Sequence, residues 1–515
     1  MRYIETKQRI ASVNIFLLVC SFILAPIPTF VIGAIYVVLK YIVGKEKLLK
    51  LASVVCVIVS AVLLIISAYQ NPSSQFYTLG PFKTLCASMT ILSITLFGFG
   101  RIDVDSMLVE NGQNNRLKLP VTSEIPLEDK SHQIVLGTTG TGKTSYLLHS
   151  VEYACKNNLP LIVVSGKNGT GDDGSLLNKT KALAEKYNRK VYVVSMNDNE
   201  PRIPFNPFDK MNPTAVSDAL TSICEFTEPY YGEATSMWIK AIAEVLIYAN
   251  IKITLESLTD FYDFNDLIKL AKELSTEGKI SKDQLKEYQG LSDFAKIASD
   301  SKSRFYNLLF GAARPILSNS DSSISALTSR KENAIIIFDL DCFRYTAFTS
   351  QIGKLVLHSI KQMIADESEH KQRKMIILDE LSFFADSSLL PILAAARSFG
   401  YQVILASQSI ADLRKVSPEF ADALLENCNQ YTTLRLNNSE DAETMSAIFG
   451  TYDSIETTFK TAHTMLDSTG AGTKKVVREF KVHPDTIKTL PNLRAVYYGK
   501  TTGVLKEIKV TFIHI

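Results

Sequence analysis

One octapeptide constrains this chain more than any other stretch: Gly137-Thr138-Thr139-Gly140-Thr141-Gly142-Lys143-Thr144. It fits G-x-x-x-x-G-K-[ST], the phosphate-binding P-loop. His132-Gln133-Ile134-Val135-Leu136 before it reads as a buried strand. The stretch 145–155 after it carries apolar residues at helical spacing. Strand before and helix after are the context the motif demands. The residue types have physical reasons. Glycines let backbone N–H groups turn inward and approach phosphates closely, and the following helix aims its N-terminus at the negative charge. Lys143 is placed to reach the β- and γ-phosphates, and the Thr144 hydroxyl to ligate Mg²⁺. The expected ligands are therefore ATP and Mg²⁺, with residues 137–144 as the nucleotide cradle.

The strands that follow extend this reading. Leu161-Ile162-Val163-Val164 and Val191-Tyr192-Val193-Val194 are short buried runs separated by a helical stretch. Alternating strands and helices predict a parallel doubly wound sheet. Residues 214–328 then show almost no strand signal, but carry amphipathic helical patterns at 234–246, 264–274 and 303–310. Trp238, the only tryptophan, reads as the core of that helical insertion, with DNA stacking as the lesser alternative. The sheet resumes at Ala334-Ile335-Ile336-Ile337-Phe338. A helix over about 351–366 follows, and then Met375-Ile376-Ile377-Leu378-Asp379-Glu380. A buried strand ending in two carboxylates is a Walker B pattern, with Asp379 placed to hold Mg²⁺ and Glu380 to polarise the attacking water. The next strand, 401–407, ends at Gln408. Its amide is placed to sense the γ-phosphate or orient water, against the alternative of a strand-capping glutamine. Arg397 reads either as an arginine finger acting in trans on a neighbour's ATP or as a solvated helix arginine.

The fold class expected is thus α/β, a P-loop RecA-like parallel sheet flanked by helices, with an inserted all-α domain and N-terminal transmembrane helices. Residues 11–39, 51–70 and 84–100 carry no charge, and the latter two are near the length of a membrane-crossing helix. Arg2, Lys7, Arg9, Lys40, Lys45, Lys47 and Lys50 flank the first segment, whereas residues 70–82 are uncharged. The positive-inside rule places that last loop outside and the large C-terminal part in the cytoplasm. The first segment reads as a hairpin with Pro26 and Pro28 at its apex, or as a single kinked span. The domains expected are a transmembrane anchor at 1–105, an ATPase domain in two parts at 106–213 and 331–515, and the all-α insertion at 214–330.

Composition excludes less than it allows. Lys+Arg 55 against Asp+Glu 53 leaves a formal charge of +2, so any nucleic-acid surface is a local patch. The seven cysteines form no C-x-x-C pair and the seven histidines no H-E-x-x-H, which argues against a zinc site or a disulfide frame. Glu367-Ser368-Glu369-His370 reads as a solvated turn rather than a metal site. Gly470-Ala471-Gly472-Thr473-Lys474-Lys475, with Arg478, reads as a basic loop: either a strand-contacting element or an ordinary exposed loop.

With these residues in view, the chain resembles the type IV secretion coupling proteins, the membrane-bound DNA pumps of bacterial conjugation within the FtsK/HerA-type translocases. The resemblance runs through the P-loop, Phe205-Asn206-Pro207-Phe208, Met237-Trp238 with Ala241, and Asp379-Glu380-Leu381. It continues through Arg397-Ser398-Phe399-Gly400, Ser407-Gln408-Ser409, Asn427-Cys428, Arg435-Leu436, His483-Pro484-Asp485-Thr486-Ile487 and Leu490-Pro491. There are departures. Leu381-Ser382-Phe383-Phe384-Ala385-Asp386 stands where the family continues D-E-x-x-x-L-G. Ser165-Gly166-Lys167-Asn168 stands where it has an Asp followed by Lys-Gly, and no long acidic C-terminal tail is present. The resemblance implies a multi-pass protein of the bacterial inner membrane and a homo-hexameric ring hydrolysing ATP at subunit interfaces. It also implies partners: DNA, expected as a single strand with its attached relaxase, and the channel components of the secretion system. Competing readings are a protein-secretion receptor ATPase without DNA translocation and an FtsK-like chromosomal pump. An ABC transporter is disfavoured, because no L-S-G-G-Q precedes Asp379.

Overall fold

Short β-branched runs with no polar interruption can be satisfied only in a sheet covered on both faces, and that is what they build. The computed structural model describes residues 119–513 except 168–174, 198–199, 202, 312, 318–321, 369–371 and 460–471. These residues belong to one unit, Leu117–Ile515. The expected membrane segments and the topology of 11–39 lie outside the described residues. Among the described residues no helix is long and apolar enough to cross a membrane.

The chain enters through β1 (Val121–Thr122) and β2 (Gln133–Leu136), then α1 (Lys143–Lys156), β3 (Leu161–Ser165), α2 (Leu176–Lys186) and β4 (Val191–Ser195). The helical insertion follows as α3 (Pro213–Ser222), α4 (Pro229–Tyr248), α5 (Leu255–Asp260), α6 (Phe264–Thr276), α7 (Lys282–Gln289), α8 (Ser292–Phe310), α9 (Arg314–Leu317) and α10 (Ala326–Lys331). The sheet resumes with β5 (Ile335–Asp339), α11 (Thr346–Ala365), β6 (Lys374–Asp379), α12 (Leu389–Ala396) and β7 (Tyr401–Ser407). It closes with α13 (Ile410–Arg414), α14 (Pro418–Asn427), β8 (Gln430–Thr433), α15 (Ser439–Phe449), β9 (Thr451–Phe459), β10 (Gly472–Phe480), α16 (Pro484–Lys488), β11 (Arg494–Gly499) and β12 (Val504–Lys509).

The ten-stranded sheet runs β1-β12-β11-β8-β2-β7-β6-β3-β5-β4. From β8 to β4 every pairing is parallel. The expected parallel sheet is therefore present, but β11 and β12 extend it antiparallel. A tight return at Gly503 (φ +67°) joins them, and a short return forces the antiparallel sense. Alternate strand residues face opposite layers. Ile134, Leu136, Ile162 and Val164 join one core, and Val135, Leu161 and Val163 the other.

The insertion is held by its own core and caps. Thr254 and Ser281 form capping boxes with Ser257 and Gln284, satisfying otherwise orphan N–H groups. Trp238 is fully buried, its indole N–H donating to the Tyr262 carbonyl at 2.9 Å, so the core reading holds and the stacking alternative does not. Phe205-Asn206-Pro207-Phe208 sits where the sheet gives way to the insertion. Asn206 Nδ2 donates to the Ile253 carbonyl at 3.0 Å, and Phe205 packs edge-on against Phe338.

Two local readings are corrected. Gly472–Phe480 is a strand paired along its length with β9, not a loop; Gly470 and Ala471 lie outside the described residues. In the expected solvated turn Glu367 is the exception, since Ser368 is exposed and Glu369 and His370 lie outside the described residues: the Glu367 carboxylate is buried, paired with Lys374 at 2.9 Å and Arg330 at 3.4 Å, and accepts from the Tyr401 hydroxyl at 2.9 Å. Its partners come from other elements, so local polarity misjudges its burial.

Candidate nucleotide site

The C-terminal ends of β2, β3, β6 and β7 lie side by side, as parallel pairing requires, and everything polar at the site hangs from them. The P-loop leaves β2 and re-enters α1. Gly142, at φ +106°, begins that helix with no side-chain cap, so the first N–H groups of α1 are left to an external acceptor. A Cβ at Gly142 would stand 2.7 Å from Leu493 Cδ2. The loop is pinned there by the Leu493 N–H donating to the Thr141 carbonyl at 2.9 Å. Thr144 follows Lys143 in the first turn of α1.

Lys143 is buried and its ammonium lies 3.3 Å from Glu380 Oε1. Gln408 Nε2 donates to Glu380 Oε2 at 3.1 Å, and Thr139 Oγ1 donates to Gln408 Oε1 at 3.4 Å. P-loop, β6 terminus and β7 terminus thus converge on one carboxylate. Glu380 itself is 1% exposed and takes a left-handed backbone (φ 54°), a conformation that non-glycine residues adopt rarely and at some cost. Asp379, one residue earlier, is buried, and its Oδ1 has no hydrogen-bond partner among the described residues. Burial raises the Asp379 carboxyl to about 6, against the lowering pull of Lys143; Glu380 adds to the rise. An orphaned carboxylate oxygen beside a threonine-bearing helix start is a donor set suited to a hard divalent cation.

Sequence reasoning missed Lys167, whose ammonium lies 3.8 Å from Glu380 Oε1 and is half exposed. The departure Ser165-Gly166-Lys167 was the available signal. Gly166 has a steric reason: a Cβ there would meet Glu380 Cβ at 3.2 Å. Asp339 was also missed. It ends β5, is paired in register with Ser165 next to Asp379, and accepts from Ser195 Oγ at 2.8 Å. Its signal was an apolar run ending in acid, the same pattern as at Asp379. Arg397 is not brought to this pocket. It is exposed and precedes β7, at the opposite edge of the sheet from the P-loop.

This fold and site define the class: a P-loop α/β protein with a Walker-type acidic pair. Residues 322–510 match the family model described as the type IV secretion-system coupling protein DNA-binding domain. Among solved structures, the plasmid coupling protein TrwB in complex with ADP and Mg²⁺ is 17% identical, with 77% of this chain and 90% of that chain covered and a TM-score of 0.56. The conjugative coupling protein TrwBdeltaN70 in its trigonal form with sulphate is 16% identical over 77% and 89%, also at 0.56. TrwB with a non-hydrolysable ATP analogue is 16% identical over 77% and 90%, at 0.54. No curated protein matches the chain. The family model thus matches the C-terminal part of the chain, and the solved structures share its fold.

Proposed function

We propose that this chain is a membrane-anchored, Mg²⁺-dependent ATPase that couples a DNA–relaxase substrate to a type IV secretion channel and drives DNA translocation as a homo-hexamer at the bacterial inner membrane. The observation that carries the hydrolytic part is the convergence of Lys143 and Gln408 on Glu380, with Thr139 donating to Gln408, beside the unpartnered Asp379 Oδ1. TrwB has been solved with ADP and Mg²⁺ and with an ATP analogue, and the residues here suit the same ligands.

Residues 137–144 would hold the phosphates, and Thr144 and Asp379 the cation. When bound, Mg·ATP supplies the phosphoryl group that passes to water and the metal charge that offsets its build-up. The chain's own residues do the rest. Lys143 turns from Glu380 to the phosphates. Glu380, released from that ion pair, accepts the proton of the attacking water. Gln408 keeps its hydrogen bond to Glu380 and so orients both base and water, linking the β7 terminus to nucleotide state. The uncharged segments at 51–70 and 84–100 would anchor the protein, and Arg397, exposed on its own subunit, is the trans finger on a neighbour's ATP.

The test is the ATPase rate of the full chain in detergent, without DNA, with single strands and with duplex, beside Lys143→Ala. A DNA-stimulated rate that Lys143→Ala abolishes is expected. A Lys143-dependent rate indifferent to both forms of DNA would replace this reading with a protein-secretion receptor.

A further inference from the structure

The connection between β5 and α11, residues 340–345, leaves the sheet beside the nucleotide site. The Leu340 N–H donates to the Ser165 carbonyl at 2.8 Å, and the Cys342 N–H to the Gly166 carbonyl at 3.1 Å. Gly166 in turn donates to the Asp379 carbonyl at 3.3 Å and lies against Glu380 Cβ. The connection is therefore tied through one residue to the acidic pair.

At its tip Phe343 is 91% exposed, the most exposed large hydrophobic side chain among the described residues. The turn carrying it is built rather than loose: buried Asp341 accepts from the Arg344 N–H at 3.1 Å and pairs with Arg344 Nε at 3.4 Å. Two half-exposed cations lie close by: Arg344 follows Phe343 on the same turn, and Lys167 follows Gly166, whose carbonyl accepts from the Cys342 N–H. A protein-docking aromatic is normally the centre of an apolar patch; here the next residue and the adjoining turn each carry a half-exposed cation. A lone aromatic among cations suits a nucleic acid with unpaired bases, where the ring stacks and the cations follow the backbone.

We propose that the 340–345 turn is a contact for single-stranded DNA, with Phe343 stacking on an unpaired base and Arg344 and Lys167 facing phosphates. The inference rests on the DNA-motor reading above. It adds a residue-level contact, inside the matched segment 322–510, that hydrogen bonds through Gly166 connect to the Asp379 carbonyl, one residue before Glu380. Strand engagement at Phe343 thereby reaches the water-activating base.

The experiment uses the full chain in detergent, an oligo-dT strand and the matching duplex, with binding read by anisotropy and turnover by phosphate release. Phe343→Ala is expected to weaken oligo-dT binding about ten-fold, the scale of one base stack, and to remove most strand stimulation while leaving the DNA-free rate unchanged. Phe343→Trp is expected to restore both. Arg344→Gln should reduce the slope of log affinity against log salt by about 0.7, one phosphate on a single strand. Unchanged oligo-dT affinity and stimulation in Phe343→Ala would overturn the proposal. So would a loss of assembly in sedimentation with affinity intact, which would make the turn a contact between copies. A wild-type chain that neither binds nor responds to DNA would instead refute the motor reading on which the proposal stands.

Discussion

The two edges of one sheet are built to opposite ends. At the N-terminal edge, polar groups are buried and tied together. Arg373 donates to the carbonyls of Leu127 and Asp129, to the Tyr153 hydroxyl and to Gln402. Gln402 and Gln430 both reach the Ser131 carbonyl, His132 bridges Val403 and Leu393, and Glu367 is clamped by Lys374 and Arg330. At the C-terminal edge the same depth of burial leaves Asp379 Oδ1 without a partner and Glu380 in a left-handed backbone. Arg373 Nε and Asp129 Oδ2 also lack partners among the described residues at the first edge, but the other atoms of those side chains are bonded there. At the second edge the unpartnered Asp379 Oδ1 stands next to a strained acid at the P-loop end of the sheet, an arrangement that a bound ligand would complete. On the proposed function, the first edge serves stability and the second turnover, and substitutions at the two should separate them.

The largest expected effect on activity is at the C-terminal edge. Lys143→Ala should abolish ATP turnover, by about 100-fold or more, while stability falls less than in Glu367→Ala, because Lys167 still pairs with Glu380. The mirror experiment is Glu367→Ala, which leaves Lys374 buried without its carboxylate. Breaking such a pair costs about 3–5 kcal/mol, to be read as a lower denaturation midpoint, with turnover per folded molecule unchanged. A large loss of turnover without loss of stability in Glu367→Ala would break the comparison.

A smaller effect comes from pH. Burial pushes the His132 imidazole down to about 4, and nearby Arg397 lowers it further against the Leu393 hydrogen bond. In the unfolded chain a histidine titrates near 6.5. Between those values the unfolded chain binds the extra proton, so this contribution is present above about pH 6.5 and is lost as pH falls towards 4. His132→Leu should be less stable than wild type at neutral pH, yet lose less stability across that window, as chemical denaturation at several pH values would show. The smallest effect expected is at Thr139→Val, which removes one long hydrogen bond to Gln408. A drop in kcat of only a few-fold is anticipated, on the scale of about 1 kcal/mol for a neutral hydrogen bond.

What was legible in the sequence was what is local. Residues 137–144, the run ending at Asp379-Glu380 and the apolar strands announce themselves, because each motif carries its own flanks. Trp238 and the helical insertion followed from periodicity alone. The Thr-rich β8 and the edge pair β11–β12 were not read as strands, since their burial depends on neighbours far along the chain. The same holds for Glu367, whose partners Arg330, Lys374 and Tyr401 converge only in the fold. Lys167 and Asp339 were hidden for a related reason: parallel register, not sequence distance, sets Ser165 between Asp339 and Asp379 and brings Lys167, two residues on, to Glu380.

The central claim is that Glu380 is the hydrolytic base, held by Lys143 until nucleotide takes that lysine away. The most direct measurement is nucleotide affinity alongside turnover for Glu380→Gln in the full chain. The account predicts ATP binding at least as tight as wild type, because no carboxylate competes for Lys143, with turnover reduced by about 100-fold or more. Weakened binding with turnover preserved would contradict it.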